Sequence, residues 1–357
     1  MEPRNVHRSG GRNQLSAAML GALTAGFAML TALTLAKAQD TGQVNIYSYR
    51  EPGLINPLLE VFTKKTGIKT NVVYASAGLN ERLAAEGRNS PADLLFTVDA
   101  GRLSEAKDAG LTQPVSLPIL GKIPAQYRDA DNHWFGLTMR ARVVYAHKDR
   151  VKQDTITYEE LADPKWKGRV CTRSGQHVYN TSLLATIIAH KGEAAAEAWA
   201  RGLKANLARK PTGGDREQVR DVAAGQCDLA VGNSYYMALM LANPEQKKWA
   251  ESVKILFPNA NDRGTHVNIS GMALAKYAPN KANALKLMEF LASDEAQKIY
   301  AEVNNEYPVS PNVEPSAIVK SWGTLKADRL PLENIAKYRK KASEIMDKVG
   351  YDAGPGT

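Results

Sequence analysis

The chain has only two cysteines, Cys171 and Cys227, among 357 residues. With so few thiols, and six histidines that share no metal-ligand spacing with them, zinc-finger and iron–sulfur scaffolds are excluded. Beyond residue 38 no apolar run is long enough to span a bilayer. Lys and Arg are scattered rather than gathered in a stripe, which argues against nucleic acid as a partner. No Ser-His-Asp, Cys-His or paired-carboxylate arrangement can be placed in one cleft, so the residues speak against an enzyme. Internal repeats and low-complexity tracts are missing as well, which leaves an ordinary globular chain long enough for two or three domains.

The start of the chain is not part of that globule. Arg4, Arg8 and Arg12 precede an apolar stretch over 15–35 that ends in Ala36-Lys37-Ala38. A charged head, an apolar middle and an Ala-x-Ala end predict a secretory signal peptide over residues 1–38, cleaved before Gln39. The length of the apolar stretch also fits an uncleaved anchor helix. Removing 1–38 takes away four of 46 basic and one of 37 acidic residues, leaving 42 − 36 = +6. A mildly positive field of this kind attracts anions. In an oxidising compartment two lone cysteines favour a Cys171–Cys227 disulfide.

From Val44 the pattern alternates between strands and helices. Strands over 44–49, 68–74 and 92–98 alternate with helices over 55–65, 79–86 and 101–109, the first with Leu58, Leu59 and Phe62 on one face. This order predicts an α/β fold with a parallel sheet and ligands at the carboxyl ends of its strands, where Tyr49, Arg50 and Asp99 lie. A long strand over 135–147 is suited to cross between domains. Further helices are expected over 181–190, 193–205, 282–292 and 332–349, with strands over 227–232 and 270–275. The expected organisation is two lobes with a cleft between them: 39–138 plus about 267–315, and 139–266 plus about 316–357. Such a layout suits hinge closure on a small ligand.

Asn233-Ser234-Tyr235-Tyr236 stands out within this order. A strand ending in Gly-Asn-Ser places Asn233 or Ser234 at a helix N-cap, with two adjacent phenols in the first turn. Met237, Leu239, Met240 and Leu241 supply apolar mass behind them, leaving Tyr235 and Tyr236 to face a cleft. Spacing alone equally allows one phenol to pack and the other to be solvated.

The runs Val44-Asn45-Ile46-Tyr47-Ser48-Tyr49-Arg50, Ser90-Pro91-Ala92-Asp93, Trp134-Phe135-Gly136-Leu137-Thr138, Ala162-Asp163-Pro164-Lys165-Trp166-Lys167-Gly168 and Gly264-Thr265-His266-Val267-Asn268-Ile269-Ser270-Gly271 together resemble the periplasmic ferric-ion-binding proteins. These are the soluble receptors of bacterial iron(III) importers of the ATP-binding-cassette type. The resemblance covers nearly all of the chain after the leader and implies a class II periplasmic binding protein. It implies a monomer that hands Fe3+ to a membrane permease and its ATPase. It carries the metal-binding tyrosines onto Tyr179, Tyr235 and Tyr236. Many relatives add a His-Tyr pair after the first strand's arginine, where this chain reads Arg50-Glu51-Pro52; the departure implies a three-tyrosine subgroup completed by carbonate or a similar synergistic anion. Arg50 is then the anion's anchor, a salt bridge being its ordinary alternative, and Arg140 fits either an anion contact or a structural ion pair. Tyr49 is expected in a supporting hydrogen bond or in packing, Asn180 as a residue that orients a ligand, and Asp99 as a further candidate ligand. His177 reads as a solvated loop residue and His266 as structural. Phenolates suit a hard trivalent ion, and binding through them releases protons. A receptor for a small organic anion such as a phosphonate is the alternative within the same architecture.

Overall fold

The computed structural model describes residues 42–356; the leader over 1–38 and its cleavage point lie outside them. The chain opens with β1 (Gln43–Ser48), α1 (Pro52–Thr66), β2 (Lys69–Tyr74), α2 (Leu79–Glu86), β3 (Leu94–Thr97) and α3 (Ala100–Asp108). Helix α1 starts on a proline, whose fixed φ suits a first turn, and buries Ile55, Leu58, Leu59 and Phe62. It stops at Gly67, whose φ of 75° is the left-handed geometry that a side chain resists. Next come β4 (Thr112–Gln113), β5 (Trp134–His147), β6 (Val170–Cys171), α4 (Val178–Lys191), α5 (Glu193–Ala205), α6 (Asp215–Ala223), β7 (Leu229–Asn233), α7 (Tyr235–Ala242), α8 (Lys247–Glu251) and β8 (Val253–Leu256). The last third supplies β9 (Val267–Ala275), α9 (Lys281–Leu291), α10 (Asp294–Asn304), β10 (Tyr307–Pro308), α11 (Ala317–Ser321) and α12 (Glu333–Lys348).

The expected parallel order holds for β2, β1 and β3. It ends there, because β9 returns from far along the chain and pairs antiparallel with β3. The sheet is therefore mixed, and β9 passes it on to β5, again antiparallel, from Trp134 to Ala141. From Arg142 onward β5 changes neighbours: its second half pairs with β7 and β8, and β7 carries β6 at its edge. One unbroken strand thus belongs to two sheets. Its residues from Trp134 to Ala146 are buried except half-buried Met139, as a strand covered on both faces requires. Helix α4 is buried from Val178 to Ile188, and it shares one apolar core with α5, α12 and Leu103 of α3.

Cys171 on β6 and Cys227 just before β7 are joined in a disulfide, both fully or almost fully buried, with Cα atoms 5.9 Å apart. Among the described residues no helix is long and apolar enough to cross a membrane. The bridge closes a separation of 56 residues, and loop-closure entropy gives it a worth of about 4 kcal/mol. The Cys171→Ala/Cys227→Ala chain is expected to unfold at markedly lower denaturant, with an unchanged far-ultraviolet dichroism spectrum before the transition; an unchanged midpoint would show that the bridge contributes nothing.

Candidate metal and anion site

Tyr179 is the second residue of α4. Its helix is capped by His177, whose Nδ1 accepts the Tyr179 N–H at 3.2 Å. The His177 ring also stands edge-on to the Tyr179 ring, with centroids 4.5 Å apart. The histidine is therefore a half-buried cap rather than a solvated loop residue, and burial followed by nearby Arg173 pushes its pKa down to about 3.

Tyr235 and Tyr236 open α7 directly after β7, with their rings 4.3 Å apart and inclined by 33°. Ser234 precedes them as expected but does not cap the helix with its side chain. Its Oγ accepts the Ala141 N–H at 3.3 Å and its own N–H donates to the Ala141 carbonyl, so the first turn of α7 is stitched to β5. Below them Met237 and Met240 are buried. Tyr235 is itself only 4% exposed and Tyr236 half-buried, so the pair lies deeper than phenols lining an open cleft.

Four guanidinium groups stand around these rings. Arg140 and Arg142 each lie 5.5 Å from the Tyr179 ring centre, Arg173 lies 5.2 Å from it, and Arg216 lies 5.2 Å from that of Tyr236. Buried Asp215 organises two of them: its Oδ2 accepts from Arg142 at 2.7 Å and from the Asn233 N–H at 2.8 Å, and its Oδ1 accepts from Arg173 at 3.2 Å. Burial opposes the Asp215 charge, but Arg142 and Arg173 hold its pKa below the usual carboxylate range. Asn180 Oδ1 accepts from Arg142 at 2.8 Å, and its amide donates to the carbonyls of Arg173 and Ser174. Asn180 thus orients the Arg142 guanidinium and the turn at Arg173 and Ser174.

Burial raises the phenol of Tyr235 well above its ordinary pKa; Tyr179 and Tyr236 add to the rise, and Arg140 works against it. Tyr236 is raised by burial, then by Tyr179 and Asp215, and is eased by a hydrogen bond with Tyr235. Tyr179 thus acts electrostatically on both residues of the pair. At neutral pH buried Tyr235 and Tyr236 are protonated, and only a strong positive charge brought among them would displace those protons.

The remaining expectations fare differently. Arg50 is buried, and its Nη1 and Nη2 engage Glu306, which is 1% exposed. The same guanidinium donates to Ser270 Oγ and to the Leu54 carbonyl. Burial opposes its charge, but Glu306 keeps its pKa raised. Arg140 shares Ser270 Oγ at 3.2 Å, while its buried Nη2 has no hydrogen-bond partner among the described residues. Tyr49 turns away from this cluster: its hydroxyl accepts the Asn80 N–H at 2.8 Å and Arg102 covers its ring at 4.1 Å, so it packs under α2, as strand alternation from Arg50 dictates. Asp99 is committed elsewhere. Its oxygens accept from Ser182 at 2.7 Å, Asn268 at 2.6 Å and the Arg102 N–H at 3.2 Å, which leaves no carboxylate edge for a metal.

Sequence reasoning missed Arg142, Arg173, Arg216, Asp215 and Glu306. Arg142 carried a usable signal, since it lies two residues from Arg140 in the same strand and strand alternation puts both on one face. Asp215 begins a helix that had not been expected, and Glu306 precedes a two-residue strand with no periodicity around it.

Two sheets sharing one strand, with a buried polar cluster where they meet, define a solute-binding protein. The chain belongs to the bacterial extracellular solute-binding protein family, whose pattern matches residues 89–322. It is 45% identical over 314 residues to iron uptake protein A1 of Synechocystis sp., covering 87% of each chain. Among solved structures it is similar to the apo ferric ion-binding protein A of Pasteurella haemolytica, with 52% identity, a TM-score of 0.84, and 87% of this chain and 98% of that one covered. It is also similar to the Trichodesmium protein solved with iron and citrate ligands, with 45% identity, a TM-score of 0.82, and 87% and 100% covered.

His266 sits where β9 begins, 3% exposed, with Nδ1 2.9 Å from Thr186 Oγ1 of α4. Burial, then Arg142, Arg140 and Arg263, depress its pKa from 6.5 to about 3 against the opposing pull of Asp99. An unfolded chain takes up a proton below 6.5 that the folded one refuses, so this residue's contribution to stability is complete above 6.5 and is lost as the pH falls toward 3. Melting temperature followed from pH 7 to pH 4 is expected to fall less steeply for His266→Gln than for the parent; parallel curves would remove His266 from the acid limb.

Proposed function

We propose that this chain is the periplasmic receptor of an ATP-binding-cassette iron importer. It captures Fe3+ with Tyr179, Tyr235 and Tyr236 and passes it to the permease and ATPase. The observation that supports the reading is that Tyr179, in the first turn of α4, and the stacked pair Tyr235 and Tyr236, in the first turn of α7, are each flanked by guanidinium groups, with Asp215 tied to the segments ahead of both helices. Hard anionic oxygen donors match a trivalent ion, and three phenolates cancel its charge. The names of the relatives favour iron over a phosphonate. In this reading the chain acts as a monomer and by binding rather than catalysis, with 39–138 plus about 267–315 as one lobe and 139–266 plus about 316–357 as the other. Strands β5 and β9 are the crossovers between them.

Charge also argues for a synergistic anion. Around the phenols stand Arg50, Arg140, Arg142, Arg173 and Arg216 against Glu306, Asp215 and Asp99, five positive groups to three negative. A neutral iron–phenolate core leaves that excess in place, and a small dianion such as carbonate reduces it. Arg140, with its free Nη2, and Arg50, on exchanging part of its Glu306 contact, are the residues we assign to the anion.

Adding a ferric chelate to the purified protein is expected to give an orange to red charge-transfer band and to release protons in unbuffered solution, with loading weaker in acid because each phenol must be deprotonated. Tyr235→Phe is expected to lose the band while its melting temperature stays near that of the parent; a colourless parent protein sinks the proposal. Arg50→Ala is expected to load iron with much less dependence on added bicarbonate, and an unchanged dependence removes Arg50 from the anion site.

A further inference from the structure

A second recess lies away from the phenols. Helix α4 begins at the tyrosine site and ends at His190, and the stretch from position 179 to position 190 is about 17 Å of helix. At that far end opens a cavity of about 1250 Å3, which is large beside the roughly 300–1,000 Å3 of most small-molecule sites. One wall is Tyr127, from the segment leading into β5. The opposite wall is the strap over 324–332 that joins α11 to α12. The strap is not a loose loop. Thr265 donates its N–H to the Lys326 carbonyl at 2.8 Å and accepts the Asp328 N–H at 2.9 Å. Gly264, at a φ of +99°, lets the strap lie against it; a Cβ there would come within 2.7 Å of the Ala327 carbonyl carbon.

The polar groups of this recess are unbalanced in one respect. Its acids are occupied: Asp328 accepts from His190 Nε2 at 2.7 Å and from the Leu330 N–H at 3.0 Å, and Asp262 accepts from Asn259 and the Arg263 N–H. Its donors are not. Among the described residues Arg329 makes neither a hydrogen bond nor an ion pair, and Lys326 donates only to the Asp262 carbonyl. Arg263 pairs with Glu159 through Nη1, and its Nη2 is buried, so its guanidinium backs the recess without offering a donor to it. Counted as formal charges the acids and bases nearly cancel, so the selectivity rests on free donors and not on net field. A ligand that satisfies them brings acceptor oxygens, and half-buried Leu325, Leu330 and Tyr127 offer its body an apolar surface.

We propose that this recess is a second binding site, for a small organic anion with a carboxylate-type head and an apolar or aromatic body. The head is held by Arg329 and Lys326, and the body rests on Tyr127 and the leucines of the strap. The site is separate from the phenols and does not depend on the metal chemistry proposed above.

The probe is para-trifluoromethylbenzoate, followed by ligand-detected fluorine NMR on the complete mature chain. Line broadening is expected with the parent protein, equal in iron-free and iron-loaded samples, and equal in Tyr235→Phe. In Lys326→Glu/Arg329→Glu the apparent affinity is expected to fall by about tenfold or more, an amount typical for removing charged contacts. Both substituted side chains are exposed and Arg329 holds no partner, so the fold should survive; Arg329→Gln serves as the milder change and is expected to show a smaller loss in the same direction. Broadening that persists undiminished in the charge-reversed chain overturns the proposal. So does broadening that vanishes on iron loading or in Tyr235→Phe, which would put the probe among the phenols, and so does the absence of broadening in the parent.

Discussion

A carboxylate with no exposed side-chain surface holds the half of this molecule around β5 and β7 in register. Asp215 binds Arg142 of β5, the backbone of Asn233 at the end of β7, and Arg173 ahead of α4. Tyr179 follows one of these segments, and Tyr235 and Tyr236 follow another. A buried ion pair of this kind adds little over an apolar substitute of the same shape, but losing one partner leaves a stranded charge at a cost of about 3–5 kcal/mol. Its effect is therefore on position more than on stability. The starts of α4 and α7 are held relative to β5 because one buried acid is tied to the strand and turns ahead of them.

The same region combines two costly choices. Phenols are buried or half-buried where they hold their protons, and guanidinium groups stand around them with some nitrogens left without a partner among the described residues. Each is poorly satisfied in isolation, as the unpartnered nitrogens of Arg140, Arg142, Arg173 and Arg216 record. Under the function proposed above, a ligand that brings both a strong cation and an anion relieves the two at once, and one carrying only one of the two charges leaves the other problem in place.

Local pattern was readable in the sequence where one physical rule dominated. The apolar stripe of α1, the glycine that ends it and the full burial of β5 follow from periodicity and backbone sterics. The parallel start of the sheet was readable too, but its antiparallel completion by β9 was not, because strand order depends on contacts between residues far apart in the chain. At the proposed site, the three tyrosines came from a family resemblance, and what the strand pattern made legible was that the pair at 235–236 opens a helix directly after β7. The arginine shell was half legible: Arg140 and Arg142 share a strand face, whereas Arg173 and Arg216 reach the phenols only through turns. Glu306 and Asp99 show the opposite failing. Their neighbours in sequence gave no sign of the partners that occupy them, and Asp99 looked available when the fold had already used it, whereas Tyr49 packs as expected.

The division of β5 between two sheets has a consequence for how the chain assembles during export. Strands β6, β7 and β8 follow β5 closely, so the sheet beside the phenols is complete once residue 256 has emerged. The other sheet begins earlier yet finishes later, since β3 lacks its antiparallel neighbour until β9 arrives. Contacts between nearby segments form before distant ones, because closing a long loop costs entropy first. The half of the molecule that carries the phenols can thus settle while the opening strands still wait for their partner. That waiting edge, not the binding half, is the part of a nascent chain most in need of protection from aggregation.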